Sequence, residues 1–144
     1  MLYTPLTKTA LRICFDAHKD QVDKTGLPYV FHPFHLAEQL QDEDTVTAAL
    51  LHDVVEDGHR TFEDLKREGI PDHILDALKL LTHDKSVPYL DYVAALKSNR
   101  IARAVKIEDL KHNMDESRLD APNAWHKEKC KLYRKALRLL RAKD

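Results

Sequence analysis

The sequence predicts an all-α protein. Apolar residues recur at three- and four-residue steps along almost the whole chain, and no segment alternates convincingly between apolar and polar residues. Glycine occurs only three times, at Gly26, Gly58 and Gly69. The 144 residues fit one domain, 1–144, with one sizeable core. Connections are short and no Pro/Gly/Ser-rich linker divides the chain. Seven or eight packed helices are the expectation.

Leu6, Ala10, Ile13, Cys14 and Ala17 mark a first helix up to about Asp23, broken by Gly26 and Pro28 in "KTGLPY". "HPFHLAEQLQ" opens a second, with Pro33 in its first turn. Val46, Ala49, Leu50 and Val54 give a third, capped near Asp44 and ended by Gly58. Thr61 and Asp64 form a capping-box pattern for a short helix to Arg67, stopped by Gly69. "PDHILDALKLLTH" carries Ile74, Leu75, Leu78 and Leu81 on one stripe behind Pro71. "VPYLDYVAALK" and "RIARAVKIEDLKHNMD" read as two more helices. The tail "NAWHKEKCKLYRKALRLLRAKD" is amphipathic, with Trp125, Leu132, Tyr133, Ala136 and Leu140 on one side and basic residues on the other.

A hydrophobic fraction of 43% and a charged fraction of 33% are those of a soluble globular protein. The net charge of -1 supplies no field for nucleic acid or an anionic membrane, so neither is expected as a partner. The first residues lack the apolar block of a signal peptide, and no window reaches the roughly 18 apolar residues of a membrane span. A cytoplasmic protein is expected. Cys14 and Cys130 are read as free thiols, one distant disulfide being the alternative. None of the glycines belongs to a GxxxxGK or GxGxxG loop. A bound nucleotide must therefore be held by side chains, a metal or helix ends.

"AALLHDVVEDGHRT" puts His52-Asp53 and Glu56-Asp57 behind the apolar run "VTAALL". If the helix continues to Asp57, these residues share faces at three- and four-residue spacing. Three neighbouring carboxylates repel one another unless a cation compensates. The bland alternative is a frayed helix end with solvated acids. Two further candidate ligands are His32, at the start of the second helix, and Asp109 in "AVKIEDLKHNMD". A His/His/Asp/Asp set suits Mn²⁺, Fe²⁺ or Zn²⁺.

"AHKDQVDKTGLPYVFHP", "AALLHDVVED" and "VKIEDLKHNMD" resemble, in that order, the motifs of the RelA/SpoT-type HD hydrolase domain, whose members include small alarmone hydrolases. The resemblance covers about residues 11–119. It implies an all-α HD-domain fold and a divalent metal, usually Mn²⁺, on His32, His52, Asp53 and Asp109. It implies that Glu56 and Asp57 activate or position the attacking water, and that Lys24, Thr25 and Asn113 lie near a bound nucleotide. The implied reaction is removal of the 3′-pyrophosphate of (p)ppGpp, with no synthetase domain beside it in 144 residues.

One departure matters. The family often has, just before that Lys, an Arg that packs on guanine, and here the position is Asp23. An acid cannot stack like a guanidinium and repels phosphate. Lys111 stands in place of another Arg, and Asp115 and Glu116 in place of an Arg-Thr pair. Arg118 is a candidate displaced phosphate contact. Two other functions therefore stay open: an HD-type hydrolase of another phosphorylated nucleotide, or a non-catalytic nucleotide-binding module. His18 and His112 are candidate supports for the site. His35, His59, His73, His83 and His126 are read as surface or core histidines, and Tyr29 as helix-start packing. The sequence leaves the oligomeric state open.

Overall fold

The structure is a computed structural model that describes residues 1–57 and 59–143. Its helices, in chain order, are α1 (Pro5–His18), α2 (Phe31–Glu38), α3 (Glu43–Leu51), α4 (Val54–Asp57), α5 (Phe62–Arg67), α6 (Asp72–Leu81), α7 (Tyr89–Leu96), α8 (Arg100–Asn113) and α9 (Ala124–Arg141). A 3-10 turn, Glu116–Arg118, links α8 to α9. Among the described residues the only β pairing is an isolated antiparallel bridge between Val22 and Pro28. Setting aside the four-residue α4, eight helices remain, and the all-α expectation holds.

The centre is α3. Every residue from Thr45 to Leu51 is buried, so this helix is apolar all round rather than on one stripe. Ala48 and Ala49 keep its girth small, and α1, α2, α6 and α8 pack directly on it. Helices α7 and α8 in turn carry α9. The C-terminal end of α3, where His52 sits, is thereby carried into the interior.

Local chemistry explains most element ends. The Thr61 hydroxyl accepts from the Asp64 amide while Asp64 accepts from the Thr61 amide, the reciprocal cap that the spacing suggests. Gly69, with φ +97, turns the chain out of α5. Ile74, Leu75, Leu78 and Leu81 are all buried, as their stripe requires.

Four expectations are corrected. The first helix ends at His18, not near Asp23: the Gln21 amide bonds back to the His18 carbonyl, and Val22 leaves to pair with Pro28. The cap of α3 is Asp42, whose carboxylate accepts from the Thr45 amide, two residues before the expected Asp44. The third helix does not run on to Asp57. It stops at Leu51, and His52-Asp53 form a turn before α4. Gly58, the expected stop, lies outside the described residues. Finally, Trp125 does not join Ala136 and Leu140 in the core, being 48% exposed.

Cys14 and Cys130 are both free and buried. Burial, helped by the Asp53 charge, pushes the Cys14 thiol up to about 12. No helix among the described residues is long and apolar enough to cross a membrane.

Leu50 is fully buried on α3. Leu50→Ala should lower the unfolding free energy by about 2–5 kcal/mol, the range for a fully packed leucine. Urea denaturation followed by circular dichroism checks this. A loss under about 1 kcal/mol would mean that α3 is not the packed centre.

Candidate metal centre

Three helices deliver the candidate ligands. His32 is the second residue of α2, His52 follows α3, and Asp109 sits on the inner face of α8. All three are buried, and they offer ligand atoms that lie within 4.8 Å of one another. His32 Nε2 is 2.8 Å from Asp109 Oδ1, and His52 Nε2 is 3.9 Å from the same oxygen. Asp53 Oδ2 lies 3.0 Å from His52 Nε2. His32, His52 and Asp109 therefore meet at one point, with Asp53 beside His52.

Each imidazole is oriented from behind. His52 Nδ1 is 2.7 Å from the Ala49 carbonyl, which can only accept, so Nδ1 carries a proton. His32 Nδ1 is 2.6 Å from His112 Nδ1. Burial, with Arg118 and His32 nearby, pushes His112 down to about 3. A neutral His112 can accept the His32 Nδ1 proton. Both rings thus turn Nε2 toward the carboxylates, where, against the cost of burial, the Asp53 charge raises His52 to about 9; a metal would displace the Nε2 protons. His52 Nε2 is buried, 3.0 Å from Asp53 Oδ2 and 3.9 Å from Asp109 Oδ1. Two buried imidazole nitrogens facing two carboxylates fit a shared divalent cation.

The acids are held as anions. Burial opposes the charge on Asp109, but Lys106 and His32 hold it well below the usual carboxylate range. Lys106 Nζ donates to Oδ2 at 2.9 Å, and Asn113 Nδ2 donates to Oδ1 at 3.1 Å. Burial likewise opposes Asp53, and the adjacent His52 brings it down to about 2. The Tyr29 hydroxyl donates to Asp53 Oδ2. Burial and the Asp53 charge raise the Tyr29 phenol, so it remains a donor.

The acidic pair lies outside this knot. Glu56 and Asp57 are exposed on α4. Partial burial and the Asp53 charge raise both above their usual range. The backbone of Asp57 is tied to the first loop, since its carbonyl accepts from Gln21 Nε2 at 2.7 Å. The other end of Gln21 meets His18, with Oε1 2.8 Å from Nδ1.

Two cavities meet at Asp53 and Asp109. The larger, about 460 Å³, has Lys24, Thr25, His32, Asn113, Arg118 and Trp125 in its wall. That volume suits a small-molecule ligand. Lys24 Nζ lies 3.8 Å from the centre of the Trp125 ring. The Thr25 hydroxyl is not free for a ligand, because it donates to Asp23 Oδ1 at 2.6 Å. The same Asp23 oxygen also takes the Thr25 and Leu27 amides and so builds the loop. Arg118 Nη2 donates to Asp23 Oδ2 at 3.2 Å, and Nη1 donates to the His112 carbonyl at 2.9 Å.

Residue patterns alone did not single out Tyr29, Lys106 or Trp125. Tyr29 contacts Asp53 and does more than pack at a helix start. Lys106 had a legible signal: it precedes Asp109 by three, on the same helix face. Trp125 had none, since its place on an apolar stripe pointed to the core.

Residues 10–114 match the model of the HD domain family. The chain is 32% identical to guanosine-3′,5′-bis(diphosphate) 3′-pyrophosphohydrolase MESH1 of Drosophila melanogaster, over 74% of this chain and 65% of that protein. It is 28% identical to MESH1 of Xenopus tropicalis, over 86% of this chain and 76% of that one. Identity to the bifunctional (p)ppGpp synthase/hydrolase SpoT of Escherichia coli is 31%, over 74% of this chain but only 17% of the longer protein. A solved structure, described as a metazoan ortholog of SpoT that hydrolyzes ppGpp and plays a role in starvation responses, matches with a TM-score of 0.76. The match covers 99% of this chain and 89% of that one at 24% identity, and it carries the fold. With most of its length matched, including all four convergent residues, the chain belongs to the HD-domain family.

Proposed function

We propose that the chain is a metal-dependent phosphohydrolase that removes the 3′-pyrophosphate of guanosine polyphosphates, the activity for which its MESH1 relatives are named. The observation that carries this reading is the buried set of His32, His52 and Asp109, whose ligand atoms lie within 4.8 Å of one another beside a cavity of about 460 Å³. These four residues would hold one divalent ion. Mn²⁺ is our assignment, and Fe²⁺ or Zn²⁺ suits the same donors. When bound, such an ion lowers the pKa of a water and offsets charge on phosphoryl oxygens.

The chain's own groups do the rest. Glu56, with its raised proton affinity, takes the proton of the attacking water. Asp57 assists from the same turn, positioned through Gln21. The water oxygen bonds to phosphorus as the bond to the ribose 3′ oxygen breaks. That oxygen leaves with the electron pair and takes up a proton. Lys24 and Arg118 meet phosphate charge in the larger cavity, and the face of Trp125 takes the base once Lys24 moves to phosphate. Asn113 steadies Asp109 from the cavity wall, and Thr25 acts through the Asp23 loop.

A second reading keeps the chemistry and changes the nucleotide. It is favoured by Asp23, which occupies the cavity wall with both carboxylate oxygens engaged and offers no stacking surface for guanine. Pyrophosphate release from ppGpp and from a panel of other phosphorylated nucleotides, with Mn²⁺-loaded protein, separates the two. A higher kcat/KM for ppGpp than for its adenine counterpart supports the first. No turnover of any phosphorylated nucleotide leaves a binding module.

His52→Ala and Asp109→Ala should lose the metal while keeping most of their helical circular dichroism. Full metal occupancy in both variants, measured by elemental analysis, would sink the ligand assignment. Glu56→Gln combined with Asp57→Asn should keep the metal and lose kcat by roughly 10²–10⁴-fold, the usual scale of proton-transfer catalysis. Near-normal kcat in the metallated double variant would remove the pair from the chemistry.

A further inference from the structure

The net charge of -1 conceals an uneven distribution. Helix α9 holds seven basic residues and one acidic residue, Glu128, so the rest of the chain carries the acidic excess. The cations are ordered as well as numerous. Lys127, Lys131, Arg134, Arg138 and Arg141 follow one another at steps of four, three, four and three residues. On an α-helix those steps keep all five within about 80° of arc, in a row roughly 21 Å long. All five are exposed. Lys131 pairs with Glu128 at 2.9 Å, and no ion pair among the described residues holds the other four. Arg134, Arg138 and Arg141 converge with Leu137 and Ala142 on a shallow depression of the surface.

Like charges three and four residues apart destabilise a helix. Here the row is held in place from behind, because Ala136 and Leu140 are buried where α9 packs on α7 and α8. An external polyanion would relieve the repulsion. A bilayer is a poor match. Interfacial helices offer it an apolar side, and α9 has used its own on α7 and α8. A second copy of the chain is a poor match too, since it would need a row of free acids. Asp42 and Asp64 cap helices, Asp16 and Glu68 pair with Arg60, and Asp44 meets His73 and Arg100. A linear run of phosphates fits better: the cations recur about every 5 Å along the axis, and a flexible strand can adjust its phosphates to them.

We propose that the outer row of α9 binds the phosphate backbone of single-stranded nucleic acid, without reading base or sugar. Lysine and arginine contacts to phosphate position a strand and carry no sequence information. The row contains no aromatic or amide side chain to read a base, and no acceptor for a ribose 2′-hydroxyl. It also leaves out Trp125, His126 and Tyr133, which α9 contributes to the larger cavity. The surface is thus separate from the candidate metal centre and independent of the hydrolase reading. Whole-chain charge argued against such a partner, and the segregation of that charge reverses the argument.

The test is fluorescence anisotropy of a labelled oligoribonucleotide, about 12 nucleotides long and without terminal phosphates, titrated with full-length protein. Binding should be measurable at about 50 mM salt and should weaken with a log–log salt slope of about -0.7 per phosphate contact, hence about -3.5 for the whole row. Oligonucleotides of scrambled sequence, and DNA of the same sequence, should bind equally well. Arg138→Gln combined with Arg141→Gln should weaken binding about tenfold or more at low salt and flatten the slope by about 1.4. Arg138→Lys combined with Arg141→Lys should keep most of the affinity and the full slope. No binding at low salt, an unchanged affinity and slope in the glutamine variant, or a preference for one sequence or sugar would each overturn the proposal. So would tighter binding to phosphatidylglycerol vesicles than to the oligonucleotide.

Discussion

The structure depends on keeping one carboxylate, Asp109, ionised in the interior. An isolated buried carboxylate would take up a proton rather than stay charged. Here Lys106, Asn113 and His32 each contact it, and His52 faces it at 3.9 Å. Those groups come from three separate helices, so the anion forms only when α2, the end of α3 and α8 are packed together. The demand runs the other way too. Lys106 is held inside by the same pair, and removing one partner would strand a buried charge. A divalent ion would complete this balance, because the charge of two carboxylates exceeds what Lys106 alone compensates.

From that centre the turn at His52-Asp53 follows. A straight continuation of α3 would keep Glu56 and Asp57 in helical register with the two residues that face Asp109. Ending α3 at Leu51 and restarting at Val54 separates the roles. Asp53 turns to the Tyr29 hydroxyl and the His52 ring, while α4 takes the acid pair to the exposed rim. Partial burial and the Asp53 charge still raise the pair's proton affinity. The two carboxylates on this rim are accessible and yet more basic than ordinary ones.

Periodicity and caps carried the helical class, and the ordered motifs carried, through their family resemblance, the ligand set His32, His52, Asp53 and Asp109, of which His32, His52 and Asp109 cluster in the fold. They did not carry the helix ends that tertiary contacts decide. The α1 stripe runs on past His18 in composition, but the Val22 to Pro28 bridge and the Gln21 contacts draw the chain away. Asp42 and Asp44 are equal candidates for a cap until the Thr45 amide chooses between them. The break after Leu51 has no glycine or proline to announce it; there His52 returns both its amide and its Nδ1 to the Ala49 carbonyl. Tyr29 and Trp125 were misread for a related reason. An aromatic residue looks like core, and only the fold shows that one donates to Asp53 and the other faces a cavity.

The same physics gives the Asp23 departure its meaning. An acid next to Lys24 looks like a liability in a site for phosphate. In the fold it is neutralised on both oxygens: one organises the loop that carries Lys24 and Thr25, and the other receives Arg118. The pair brings a guanidinium into the cavity wall from the turn after α8 instead of from the loop. Arg118 is also tied to the His112 carbonyl, and His112 backs His32. The cation in the cavity wall is thus joined by two contacts to His32, one of the candidate ligands. Movement of Arg118 onto a ligand would loosen Asp23 and disturb His112 together. Asp23, Arg118, His112 and His32 therefore form one connected set of side chains that runs from the wall of the larger cavity to the candidate metal ligands.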